Sequence, residues 1–123
     1  MSYTIKQFAQ LVGLTDHTLR YYEKEQLLNP LRSSNGHRVF NQRDIDWIQF
    51  ILRLKETGMP LKVIKHYAML LAQGDNTIRE RKEILELHQI YLDNKLNEWQ
   101  GHREKLQQKI DNYHAMCQQR KCI

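Results

Sequence analysis

The sequence predicts a mainly α-helical fold: a head of short helices carrying one small hairpin, then a single long helix that pairs with another copy of itself. Three observations predict it. Ile78, Leu85, Leu92, Trp99, Leu106 and Tyr113 recur at intervals of seven, the spacing of a coiled-coil seam. No proline follows Pro60, so nothing interrupts that helix. Gly13, Gly36, Gly58 and Gly74 cut the earlier part into segments too short for such a seam.

The 123 residues suit one ordinary domain plus an extension. A hydrophobic content of 41% allows a small core. No apolar run approaches the roughly 18 residues needed to span a bilayer. The start, Met1-Ser2-Tyr3-Thr4, lacks the charged-then-apolar pattern of a signal peptide. A soluble, cytoplasmic protein without a membrane partner is expected. Cys117 and Cys122 are too few and too close to staple a fold, which suits a reducing compartment. Two such ligands do not close a tetrahedral zinc site. Inert tail cysteines and a thiol switch both remain open.

Charge is unevenly placed. Residues 1–74 carry ten Lys and Arg against six Asp and Glu, whereas residues 75–123 carry nine against eight. A basic head on a nearly neutral helix suits a polyanionic partner; the same excess also serves solubility.

In chain order, Thr4 caps a first helix, and Gln7 three residues on completes a capping box. Ile5, Phe8, Ala9 and Val12 form its inner face, and Gly13 stops it. Thr15 caps a second helix, Asp16 to about Lys24, with Leu19 and Tyr22 inward. Two short helices joined by a Gly-containing turn form a helix-turn-helix pattern. Asn29-Pro30 breaks it. Asn35-Gly36 is a hairpin turn signal with Arg32 before it and Arg38 after, so residues 31–40 read as a two-stranded wing. Asn41 caps a third helix running to about Thr57, with Ile45, Ile48, Ile51, Leu52 and Lys55 at helical spacing. Pro60 suits the first turn of a fourth helix, with Leu61, Ile64, Ala68 and Leu71 on its apolar side. Asp75, Asn76 and Thr77 are all competent caps for the long helix.

The expected organisation is a head at residues 1–74, a coiled-coil helix at 75–118 and a tail at 119–123. The seam is carried by Leu85, Leu92, Leu96, Trp99, Leu106, Ile110 and Tyr113. Its other positions include Lys82, Gln89 and Arg103, which cost stability but can set register. Ile84, Leu87 and Tyr91 form a second stripe that asks for a further partner, expected to be a globular head, its own or its mate's.

The strongest local signal is Thr18-Leu19-Arg20-Tyr21-Tyr22-Glu23 on the second helix. With Leu19 and Tyr22 inward, His17, Arg20, Tyr21 and Lys24 face out. Arg can bind a phosphate or a guanine edge, and a Tyr hydroxyl can bind phosphate; an ordinary amphipathic helix with solvated charges has the same pattern. No His, carboxylate or Cys combination recurs at a spacing with a catalytic mechanism, so an enzyme is not expected.

Tyr3-Thr4-Ile5, Ala9, Gly13, Thr18 to Glu23, Leu27-Leu28, Pro30, Arg32, Asn35-Gly36, Arg38, Phe40, Asp44-Ile45 and Lys55 to Leu61 fall in an order that resembles the MerR family of transcription regulators. The resemblance runs from residue 3 to about 71. It implies a winged helix-turn-helix head and an antiparallel coiled-coil dimer. It also implies a sequence-specific regulator that binds double-stranded promoter DNA as a homodimer and distorts the spacer between promoter elements, reaching RNA polymerase indirectly. The implied DNA-binding set is Thr15, His17, Thr18, Arg20, Tyr21 and Lys24 on the recognition helix and its cap, His37 and Arg38 in the wing, and Lys62 in the fourth helix. Arg38 is the implied wing contact to the backbone, and His37 stands where the family usually has Tyr. Metal-sensing relatives carry cysteines near the start of the dimerisation helix, and Gly74 to Ile78 has none. Drug-binding relatives add a C-terminal domain, so a short form without one is expected, with no metal and no cofactor. The rival classes are a coiled-coil adaptor and a nucleoid-type DNA binder without regulatory specificity.

Overall fold

The computed structural model describes residues 2–120, so Cys122 and the end of the expected tail lie outside the described residues. The elements follow in the order α1 (Ile5–Val12), α2 (Asp16–Lys24), β1 (Leu31–Arg32), β2 (Arg38–Val39), α3 (Gln42–Glu56), α4 (Leu61–Gln73), a 3-10 turn (Asp75–Thr77) and α5 (Ile78–Arg120). The chain divides after Ile84 into two compact units.

The short helices begin where the caps predict. Thr4 Oγ1 accepts the Gln7 N–H at 3.2 Å, while Gln7 Oε1 accepts the Thr4 N–H at 2.9 Å. Asn41 and Asp44 repeat this reciprocal pattern at 3.1 and 3.0 Å to start α3. Each such cap is worth about 1 kcal/mol. Gly13, at φ 71°, takes the left-handed conformation that ends α1. Thr15 then accepts the Thr18 N–H at 3.1 Å and opens α2.

The core of the first unit joins all these elements. Phe8, Leu19, Tyr22, Phe40, Ile48, Ile51 and Ile64 are almost fully buried. Phe8 and Phe40 stack with ring centroids 4.2 Å apart and planes 5° from parallel. At the same point the chain start is tied to the end of the wing: the Tyr3 N–H donates to Phe40 O at 2.7 Å and the Phe40 N–H donates to Tyr3 O at 2.9 Å.

Several faces differ from the sequence expectation. On α1, Phe8 and Ala9 are buried while Ile5 and Val12 are only half-buried. On α3, Leu54 is buried in place of Lys55, whose ammonium sits 3.3 Å from the Tyr22 hydroxyl. On α4, Ile64, Tyr67 and Leu70 are buried; Ala68 is half-buried and Leu71 is exposed. The reason is an aromatic cluster. The Tyr67 ring lies 6.1 Å from Trp47 and 5.8 Å from Phe50, and a Tyr ring buries far more area than an Ala methyl. The Trp47 indole N–H also donates to Leu27 O at 2.6 Å, which fixes the cluster. Pro60 is the residue before α4, as its N-cap, rather than part of its first turn.

Of the three candidate caps before α5, Thr77 is the buried one. Its hydroxyl donates back to Leu70 O at 2.6 Å, with Gly74 O at 2.8 Å, and accepts from Arg81 Nε at 3.0 Å. Carbonyls at the end of α4, which have no partner within their own helix, are thereby satisfied.

α5 has 43 residues, about 65 Å at 1.5 Å per residue, and none of them is buried. Trp99 is 70% exposed and Leu106 63%. Cys117, near its end, is disulfide-bonded. Among the described residues no helix is long and apolar enough to cross a membrane.

Phe40→Ala is expected to destabilise the protein by about 3–5 kcal/mol, the usual cost of emptying a buried aromatic site. Leu31→Ala, at a side chain 70% exposed, should stay within about 0.5 kcal/mol. Chemical denaturation midpoints of the two variants check this contrast.

Candidate nucleic-acid interface

α2 owes its orientation to Leu19 and Tyr22, which are 1% and 2% exposed. With those two side chains anchored, helical rotation turns His17, Arg20, Tyr21 and Lys24 outward, and all four are exposed. Thr15 and Thr18 serve the turn that starts the helix, their hydroxyls 2.9 Å apart.

The wing is a minimal hairpin. Its strands are two residues each, with Leu31 opposite Val39 and Arg32 opposite Arg38. The loop closes through the Ser33 N–H to His37 O and the Gly36 N–H to Ser33 O, both at 2.9 Å. Gly36, at φ 81°, adopts the left-handed conformation this closure needs. Ser34, Asn35 and Gly36 thus form a three-residue loop, a common way to end a hairpin with a left-handed Gly.

This register sets two arginines face to face, and like charges directly opposite are destabilising. A third side chain relieves them. Glu23 of α2 accepts from Arg38 Nε at 2.6 Å and from Arg38 Nη2 at 3.1 Å, a two-point pair, and from Arg32 Nη2 at 3.1 Å. Arg32 Nη1 also donates to Gly36 O at 3.0 Å, bracing the loop. The Arg38 pair carries more of the anchoring. The Arg38 and Glu23 side chains are 26% and 23% exposed, against 48% for Arg32, and exposed pairs contribute little. The hydrogen bonds from Arg38 hold the Glu23 carboxyl below its usual range, against the opposing effect of burial; the charges of Arg38, Arg32 and Arg20 add to the lowering. The same hydrogen bond pushes Arg38 further up.

Lys62 is exposed on the first turn of α4 and lines a groove of about 730 Å³ with Glu23, Arg32 and Lys65. Lys65 is paired with Glu25 at 2.6 Å. The structure therefore gathers Arg32 and Arg38 around one carboxylate, with Arg20 close enough to act on it, and Lys62 shares the groove. His37 lies exposed beside Arg38. Sequence reasoning missed the roles of Glu23 and Arg32. The available signal was a pair of arginines flanking a short turn, which demands an acid on the facing element.

On α5, Leu85 and Leu92 are half-buried, and Leu96, Trp99, Leu106, Ile110 and Tyr113 are exposed. These seven side chains repeat along one helix at the expected spacing.

Because the folded pKa of Glu23 lies below its ordinary value, its stabilising effect is fully present above that ordinary value and is lost as pH falls through the folded one. The wild type should therefore melt above Glu23→Gln at neutral pH. That difference should shrink as pH drops below about 4.5, the ordinary carboxyl value. Paired thermal melts across pH 7 to pH 3 measure it.

The family profile described as MerR HTH family regulatory protein matches residues 3–70, and that described as MerR, DNA binding matches residues 45–109. An uncharacterized HTH-type transcriptional regulator of Haemophilus influenzae is 42% identical over 87 residues, covering 70% of this chain and 64% of that protein. The HTH-type transcriptional regulator AdhR of Bacillus subtilis is 40% identical over 82 residues, covering 66% and 59%. The chain thus spans less than two thirds of the length of both relatives. The crystal structure of HiNmlR, a MerR family regulator lacking the sensor domain, bound to promoter DNA, aligns with a TM-score of 0.81 at 35% identity, over 93% of this chain and 91% of that one. This chain belongs to the MerR family of helix-turn-helix regulatory proteins.

Proposed function

We propose that the chain is a transcription regulator that binds promoter DNA as a homodimer in the cytoplasm and distorts the spacer between promoter elements, acting on RNA polymerase indirectly. One observation carries the reading. α2 is held by buried Leu19 and Tyr22 and presents Arg20, Tyr21, Lys24 and His17 to solvent beside a wing that holds Arg38. An exposed helix with that content fits the major groove, where Arg reads guanine and Tyr and Lys take phosphates. The promoter DNA in the HiNmlR crystal structure supports the same choice of ligand. Distortion would be charged as deformation energy and offset by phosphate contacts.

Dimerisation supplies two such helices. α5 carries a seven-residue apolar repeat with no buried residue in the protomer, and a second copy provides the missing cover. Antiparallel pairing is the proposed arrangement. Electron spin distances between labels at residue 118 of the two chains test it: about 10 Å, the spacing of packed helices, means parallel and rejects the arrangement.

Arg20→Ala should weaken binding to a preferred duplex by about 1–3 kcal/mol while the melting temperature stays near that of the wild type. Fluorescence anisotropy over a salt series provides the measurement. A regulator loses affinity steeply with salt and discriminates between sequences. A nucleoid-type binder shows the salt dependence without discrimination, and a protein-binding adaptor shows neither.

Asp at both Leu92 and Leu106 should abolish the dimer, since each would place a charge in the seam. Because neither leucine is buried in the protomer, the head should keep its own fold. Light scattering that still reports a dimer rejects the seam.

A further inference from the structure

We infer that Glu23 is a positioning residue of the DNA interface, holding the wing and the Arg38 guanidinium at a set place beside the recognition helix. This rests on the DNA-binding reading above. A two-stranded hairpin is marginal by itself in water, and this one has strands of only two residues. Its base is fixed by Phe40, but nothing in its own ladder sets its lean relative to α2. Glu23 does, through the two-point pair with Arg38 at 2.6 and 3.1 Å and the single bond to Arg32 at 3.1 Å.

The electrostatics make the placement informative. A carboxylate on a surface that meets phosphates repels them, so on charge alone Glu23 weakens DNA binding. Its geometric effect runs the other way. Arg38 has five N–H donors, of which Nε and one Nη2 hydrogen are directed at Glu23. That fork locks the guanidinium plane and leaves its remaining edge to meet one phosphate. Arg32 is held by Glu23 on one side and by Gly36 O on the other, so it stiffens the loop that carries His37. Glu23 also lies one helical turn from Arg20, so the group that sets the wing neighbours the side chain assigned to bases.

Two variants separate charge from geometry. Glu23→Gln keeps the length and removes the charge; Glu23→Asp keeps the charge and shortens the reach by one methylene. The probes are a duplex selected by the wild-type protein from a randomised pool and a scrambled duplex of the same composition. If Glu23 positions the wing and with it the Arg38 phosphate contact, both variants lose about tenfold in affinity for the selected and the scrambled duplex alike, the scale of one charge-assisted hydrogen bond. Arg38→Ala loses a similar amount, and combining it with Glu23→Gln adds little further, as expected for partners in one interaction. The positioning role is overturned if Glu23→Gln tightens binding to both duplexes equally while Glu23→Asp behaves as wild type, because charge alone then accounts for the residue. A wild-type protein that retains no duplex from the randomised pool defeats the DNA-binding reading itself. One that binds, with affinity for both duplexes intact in Glu23→Asp, defeats only the role of Glu23.

Discussion

The head is organised around Phe40. Its ring lies flat against Phe8 of α1 at 4.2 Å, and its backbone exchanges two hydrogen bonds with Tyr3. It is also the residue between the last wing strand and the cap of α3. One position therefore fixes the chain start, the first helix, the base of the wing and the entry to the third helix. Burying such a ring is worth about 1.5–3 kcal/mol. Its larger consequence is geometric. Phe8 can meet Phe40 only if α1 packs on α3, and α2 must then leave the Gly13 turn with Leu19 and Tyr22 toward the same core. The outward face of α2 is thus decided by residues that never touch a ligand.

Hydrophobic packing of this kind does not reach the tip of the wing. Beyond Phe40 the hairpin is exposed except for Arg38 and Val39, so polar interactions must place it. The register puts two cations opposite each other, an arrangement that is unfavourable until an anion is supplied. Glu23 supplies it, and the strengths are unequal. The tighter pair, with Arg38, is the less exposed one, and solvent screening weakens the pair with Arg32. A small hairpin with little core has exchanged apolar burial for one shared carboxylate.

Local rules made much of the fold legible. The capping box at Thr4, the cap at Asn41, the Gly13 stop and the Asn35-Gly36 turn each involve residues within four positions of one another, and each is found as read. So is the inward pair Leu19 and Tyr22. What escaped was tertiary. The face of α4 could not be read from Leu61, Ile64, Ala68 and Leu71, because its rotation follows the meeting of Tyr67 with Trp47 and Phe50 across two helices. Helical spacing points to Lys55 rather than the buried Leu54, because the long Lys55 stem reaches Tyr22 from the edge of the core. At the candidate site, the outward residues of α2 were legible from helical rotation alone. The Glu23 anchor was not, since it depends on a loop of three residues rather than two; a shift of one would separate Arg32 from Arg38 across the pleat.

α5 poses the opposite problem from the head. Within the helix, Glu98 lies 3.5 Å from Lys95 and 4.0 Å from His102, and Gln107 donates to Asp111 at 3.0 Å. Such pairs add only about 0.2–0.5 kcal/mol each to a helix, far less than an apolar seam gains when covered. The seam must then choose its partner's direction, and its polar positions bear on that choice. A parallel, in-register pair would bring Lys82 against Lys82 and Arg103 against Arg103 inside the seam. Each would lose water beside a like charge, with no acid at the same level of the seam to offset it. Antiparallel pairing separates residues far from the two-fold axis from their own copies, and Lys82, near the start of α5, can then lay its long stem along an apolar neighbour while its charge reaches water. The proposed antiparallel dimer is thus favoured by Lys82, which interrupts the hydrophobic ladder far from the middle of α5 and meets its own copy only if the helices run parallel.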